Sequence, residues 1–246
     1  MNPGYHRSTM KRAGSGSSDP KVYCRGCPVL HTGFFSALNG PAKSTVVCLM
    51  EYGHYIPHQI LFQEGNPAIR IFAIKSGYVK TYRTHPQGKH QVIQVAKGGD
   101  VLNLESIQGG QCAVTAEVLA KSEICFLEVQ RLLDLAKRNS LLALEIIRMM
   151  SSVIVESQQR ILDFGTKDAK SRFAGFLLDM IPDAGGKKDS VEFRLPLTRH
   201  EIADLIGVRL ETISRLFQVF KEQKIVATES RSVRVLDIPK LKELAR

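Results

Sequence analysis

The segment from Leu197 to Phe217, LTRHEIADLIGVRLETISRLF, constrains the fold more tightly than any other part of the chain. Thr198, with Glu201 three residues on, is the sequence form of a capping box, which starts a helix by satisfying its unpaired N–H groups. Ile202 and Leu205 then face inward about a turn apart. Gly207 follows where a tight inter-helix turn needs a residue free to take positive φ. A second helix runs from about Arg209, with Leu210, Ile213, Leu216, Phe217 and Phe220 as its apolar stripe. Arg209, Glu211, Thr212, Ser214 and Arg215 fall largely off that stripe.

Those five residues have base-reading chemistry. In a helix-turn-helix, the first turns of the second helix enter the major groove of double-stranded DNA. Arginine chelates O6 and N7 of guanine, glutamate accepts from N4 of cytosine, and serine and threonine serve base edges or phosphate. Ile225 to Val235 then reads as strand, turn and strand, a wing whose Glu229-Ser-Arg-Ser232 turn would lie near phosphates. Arg231 and Arg234 are its candidate contacts, and Thr198 and Arg199 complete the DNA-contacting set. The alternative is an ordinary amphipathic helix pair with a solvated charged face.

The chain has 246 residues and a formal net charge of +10, a balance that favours nucleic acid or an anionic surface. Met1 to Pro20 is rich in Ser, Gly and Lys/Arg without an apolar run, and reads as a disordered tail. With no stretch suited to spanning a membrane and no signal-peptide core, a cytoplasmic location is expected.

Between about Thr45 and Val129 lie short strand candidates: Tyr55-Ile56, Ile60–Phe62, Ile69–Ile74, Tyr78–Tyr82, Gln91–Val95 and Glu123–Glu128. Turn residues separate them, including Ser76-Gly77, Gly98-Gly-Asp100 and Gly109-Gly110. Such spacing suggests a barrel or jelly roll. A helical run follows from about Gln130 to Phe164, in which Ile147, Met150, Ile154, Ser157, Ile161 and Phe164 alternate three and four apart. That is a coiled-coil seam and suits a parallel homodimer, in which two recognition helices read two half-sites. The alternative is a single amphipathic helix packed on its own barrel. Another helix is expected over Ala169 to Ile181, with a hinge near Gly165.

Barrel, long helix and winged helix in this order resemble the CRP/FNR family of bacterial transcription regulators. The likeness covers roughly Tyr23 to the C-terminus, most specifically Ile74-Lys-Ser-Gly-Tyr78, Gly99-Asp100-Val101 and Leu197 to Phe217. Glu211-Thr-Ile-Ser-Arg215 is similar to the recognition signature of the FNR branch, whose sites are TTGAT-type inverted repeats. The resemblance implies base contacts from Glu211, Ser214 and Arg215, and RNA polymerase as a partner. The cyclic-AMP branch holds its ligand with Gly-Glu-Leu and an arginine paired with Ser or Thr. Here Leu102-Asn-Leu-Glu-Ser106 and Gln111-Cys-Ala-Val-Thr115 carry no arginine for the phosphate, so cyclic AMP is not expected.

The same branch holds an iron–sulfur cluster with N-terminal cysteines and one cysteine from the barrel. Cys24-Arg-Gly-Cys27 and Cys125 match that design. The branch's third N-terminal cysteine is missing, since Gly33 to Ser36 follow instead. Cys48 is the nearer substitute in sequence, and Cys112 is the other. A 4Fe–4S cluster needs such a set of sulfurs. A redox dithiol, a zinc site and inert small core residues remain open, because a bare CxxC is weakly specific. A haem would need an axial histidine, with His31, His54 and His58 as candidates. No haem-specific spacing accompanies them, so haem is not expected.

Oxygen-responsive relatives also carry an aspartate in the seam, whose buried like-charge pairing gates dimerisation. Ser157 matches that position, which implies a dimer that persists without a cluster.

The expected α+β architecture is a disordered tail over residues 1–22 and a cyclic-nucleotide-binding-like sensor β-barrel over 23–130, with the Cys motif at its start. A dimerisation helix follows over 131–165 and a winged helix-turn-helix over 166–246. Two other functions compete with oxygen, redox or nitric oxide sensing. One is the same regulator responding to a small molecule in the barrel, with structural cysteines. The other is a cupin-like enzyme, which the absence of a His-rich strand motif disfavours.

Overall fold

A computed structural model describes residues 11–12, 27–31, 40–182 and 190–246. Cys24, and the expected tail apart from Lys11 and Arg12, lie outside these described residues. The chain divides into two compact units, Met1–Val153 and Ile154–Arg246.

The first unit is a two-sheet jelly roll with helices. Its elements are β1 (Lys11–Arg12), α1 (Pro28–His31), α2 (Gly40–Leu49), β2 (Glu51–Tyr55), β3 (Ile60–Phe62), β4 (Arg70–Ser76), β5 (Tyr78–Thr84) and β6 (His90–Lys97). After these come β7 (Val101–Leu102), a 3₁₀ turn over Leu104–Gln108, β8 (Thr115–Val118), β9 (Ser122–Glu128) and α3 (Val129–Arg138). One sheet has the order β1-β2-β9-β4-β7 and the other β3-β8-β5-β6, so the expected barrel is an open pair of sheets. All the strand pairings are antiparallel.

Strands β4 and β9 are buried on both faces, which is why their sequences read as near-continuous apolar runs. Side chains alternate across a strand. Phe72, Ile74, Ile124 and Phe126 therefore enter one core with Phe62, Val79 and Val118 of the second sheet. Ile71, Ala73, Cys125 and Leu127 enter another, with Val29, Leu30, Val46, Met50, Leu132 and Leu142. In the first core the Phe62 and Phe72 rings stack at 5.3 Å. The β5–β6 hairpin follows a turn at Gly77, whose φ of +95° suits glycine, and a Cβ there would lie 2.0 Å from Ser122 Oγ.

Strands β7 and β8 and helices α1 and α2 lie outside the strand and helix candidates read from sequence. The two strands are short, and α2 opens with Gly40-Pro41, which masks a helical signal. The single helix expected from Gln130 to Phe164 is two helices, α3 and α4 (Ser140–Thr166). Asn139 breaks it by leaving helical space, at φ −140° and ψ 96°. Its Oδ1 accepts from Leu142 N at 3.2 Å, and so starts the second helix as a cap. Helix α4 also runs through Gly165, where a hinge was expected. It ends at Thr166, and Asp168 begins α5 (Ala169–Met180) by accepting from Ser171 N at 2.7 Å.

The second unit continues with β10 (Val191–Arg194), α6 (Arg199–Ile206), α7 (Leu210–Glu222), β11 (Val226–Glu229), β12 (Ser232–Val235) and α8 (Ile238–Leu244). The three strands form one antiparallel sheet in the order β10-β12-β11. Phe173 of α5, fully buried, lies 4.8 Å from the Phe217 ring and 5.2 Å from that of Phe220. This aromatic contact fixes α7 to the rest of the unit.

Candidate DNA interface and thiol positions

Local rules build the helix-turn-helix. Thr198 caps α6, its hydroxyl accepting from Glu201 N, while Glu201 Oε2 accepts from Thr198 N at 2.8 Å. The C-terminal end closes with Gly207 at φ 68° and ψ 47°. There Gly207 N donates to Asp204 O and Val208 N to Ala203 O, the paired bonds of a Schellman motif. Arg209 caps α7 in extended conformation. Helix α7 buries Ile213, Phe217 and Phe220. Leu210, expected on the apolar stripe, is 41% exposed, because it sits in the first turn, ahead of that buried face.

Arg209, Glu211 and Arg215 are exposed, and Thr212 and Ser214 half-buried, along the first turns of α7. Arg199 lies at the start of α6 with its guanidinium 5.1 Å from the Phe217 ring centroid. Arg231 is exposed in the turn between β11 and β12, and its carbonyl accepts from Leu195 N at 2.8 Å. Thr198, Arg199, Ser230 and Arg231 rim an open groove of about 360 Å³ floored by Leu195, Leu197, Ile202, Phe217 and Val233.

Arg234 is placed differently from Arg231. Glu192 on β10 accepts from its Nε at 3.0 Å and its Nη2 at 2.7 Å, and from Ser232 Oγ at 2.7 Å. The Ser232 hydrogen bond first, then Arg234, holds the Glu192 carboxyl below its usual range. Arg234 thus has a carboxylate partner, and Arg231 at the wing tip does not share it.

The residues expected to form a dimer seam lie on helix α4. Ile147, Ile154, Ser157, Ile161 and Phe164 are exposed and Met150 is half-buried. Every residue from 151 to 162 is exposed, and Ile161 reaches 73%. Phe164 also touches the turn: a Cβ on Gly207 would meet its Cε1 at 2.9 Å.

Three of the four described thiols lie in the two cores of the first unit, and Cys48 is exposed. Cys27, 3% exposed, and Cys125, 6% exposed, belong to the same apolar cluster. Cys48 on α2 is exposed, whereas its neighbours Val46 and Met50 are buried in that cluster. Cys112 lies in the core between the sheets, its Sγ 3.7 Å from Asn103 Nδ2. Burial pushes its thiol pKa up, against the ionisation that metal ligation needs. None of these four is in a disulfide. The Cys27 and Cys125 pair fits a sulfur-ligated group in donor type and burial. Among the described residues no three His, Cys, Asp or Glu side chains gather to hold a metal.

Comparison with known proteins adds two matched models: a cyclic nucleotide-binding domain over residues 53–139 and a Crp-like helix-turn-helix domain over 171–244. The chain is 30% identical over 226 residues to the fumarate and nitrate reduction regulatory protein of Vibrio cholerae, covering 91% of this chain and 90% of that one. It is 26% identical to the transcriptional activator protein anr of Pseudomonas aeruginosa, covering 92% of this chain and 93% of that one. The structure of FixK2 from Bradyrhizobium japonicum superposes with a TM-score of 0.70 at 25% identity, over 79% of this chain and 96% of that one. These relatives are regulators and not enzymes, which sets the cupin-like reading aside. Among the described residues no helix is long and apolar enough to cross a membrane.

Proposed function

Because this chain belongs to the CRP/FNR family of bacterial transcription regulators, we propose that it binds a TTGAT-like inverted repeat as a homodimer under redox control. One observation carries the DNA half of this reading: Arg209, Glu211 and Arg215 stand exposed on the first turns of a helix whose start is set by a capped and Schellman-closed partner. Glu211, Ser214 and Arg215 read bases, while Thr198, Arg199, Arg209, Thr212 and Arg231 hold the phosphates or neighbouring edges. The largely exposed apolar face of α4 supports dimerisation, with Ile147, Met150, Ile154, Ser157, Ile161 and Phe164 along the seam. A regulator of this kind works in the cytoplasm beside RNA polymerase.

For the input we propose an iron–sulfur centre held by Cys24, Cys27 and Cys125, with Cys48 at the fourth position. Cys112 is left out because it belongs to the other core. Such a cluster, when bound, supplies chemistry sensitive to oxygen and nitric oxide. The chain's own part is to bury two of the sulfurs in an apolar cluster, which limits solvent access. Cyclic AMP is not the signal in this reading, since Gln111 to Thr115 offer its phosphate no cation.

Purification without oxygen tests the input, with visible absorption and with iron and sulfide analysis. Coloured protein with matching iron and sulfide, and DNA affinity that changes on exposure to air, is the expected result. Colourless, iron-free protein from that preparation rejects the cluster and leaves the small-molecule reading. Ser157 in the seam carries no charge, so sedimentation of the iron-free protein should show a dimer at micromolar concentration. A monomer there would sink that expectation.

A further inference from the structure

Arg172 joins three parts of the second unit. Its Nε donates to Ile206 O at 2.9 Å, in the last turn of α6, and its Nη1 donates to Lys167 O, just past the end of α4. Its guanidinium lies 5.5 Å from the Phe164 ring centroid. The carbonyls at a helix C-terminus lack intrahelical partners and carry the negative end of the helix dipole. A guanidinium is a planar fork of donors that also stacks on aromatic rings, so one side chain can bind both carbonyls and cover Phe164. The same ring lies against Gly207, where a Cβ would be 2.9 Å away. The end of the long helix and the turn before α7 are therefore held in one assembly.

We infer that Arg172 is a positioning residue that sets the distance between the two recognition helices, and hence the half-site spacing the dimer accepts. This rests on the proposed two-fold reading of DNA. In that dimer α4 lies along the axis, and α7 is referenced to α4 through Arg172, Phe164 and Gly207. Adjacent base pairs are about 3.4 Å apart along the duplex, so a shift of a few ångströms in either α7 misses a half-site.

The full-length chain tests this on duplexes carrying two TTGAT half-sites with spacers varied one base pair at a time. Wild-type protein should prefer its best spacing by roughly tenfold or more over spacings one base pair different. Arg172→Ala should remain dimeric in sedimentation and flatten that preference to within about threefold. Arg172→Lys, which keeps the charge and loses the fork, should fall between. A merely structural role would lower affinity for all spacings alike, so an Arg172→Ala protein with the wild-type ratio overturns the inference. If Arg172→Ala does not fold, Arg172→Lys retaining the full ratio does so instead. A wild-type chain indifferent to spacing refutes the two-half-site reading itself, and this inference with it.

Discussion

The helix-turn-helix and the thiol pair are assembled in opposite ways. Thr198, Glu201, Gly207 and Arg215 are close in sequence, and each local geometry follows from a neighbour within one or two helical turns. Cys27 and Cys125 come from a loop before α1 and from strand β9, and only the packing of the sheet with α1 and α2 brings them into one cluster. Reading chemistry built on local rules tolerates drift elsewhere in the chain. The proposed sulfur site is built on tertiary packing, and it would change if a single ligand position were lost.

Variants separate the two regions, and the largest effect belongs to packing. Phe173→Ala should cost about 3–5 kcal/mol of stability in the DNA-binding unit, seen in its unfolding transition. Iron and sulfide held by the proposed cluster should stay unchanged, and their loss would show that the regions are not independent. Arg215→Ala should cost roughly 1–3 kcal/mol of specific DNA affinity and relax preference at one base pair. Equal losses on specific and random DNA would deny it a base-reading role. Thr198→Ala removes the capping box and should cost about 1 kcal/mol of stability, measured by denaturant titration.

The smallest effect is expected at Glu192. Its folded pKa lies below the ordinary value, so its contribution is present at neutral pH and is lost as pH falls through the lowered value. The site is exposed and salt screens it. Glu192→Gln should therefore weaken the unit slightly at neutral pH in low salt and not in acid. A deficit that persists in acid would mean that the side chain matters for something other than its charge.

Much of this division was legible in the sequence. The Thr198 and Glu201 spacing, Gly207 and the wing turn at Glu229 to Ser232 name their own local geometry. Strands β4 and β9 were visible because burial on both faces makes their middle residues, Ile71–Ile74 and Ile124–Leu127, apolar runs. The break at Asn139 was hidden by apolar periodicity that continues across it, and only the cap on Leu142 N ends one helix and begins the next. Arg172 gave no signal either. It precedes Phe173 on an ordinary amphipathic helix, and its partners Ile206 and Lys167 offer backbone carbonyls, which carry no residue-type signature. Glu192 and Arg234 are paired across β10 and β12, a register that exists only once the third strand joins the wing.

The central claim is that exposed residues of α7 read bases from two half-sites. Its most direct measurement is a titration at fixed salt, comparing a TTGAT inverted repeat with a duplex whose half-sites are both scrambled. Specific recognition predicts that the intact repeat binds on the order of 10³-fold more tightly or better. Equal affinity for the two duplexes, from a folded dimer, would reduce the interaction to phosphate electrostatics and contradict the account.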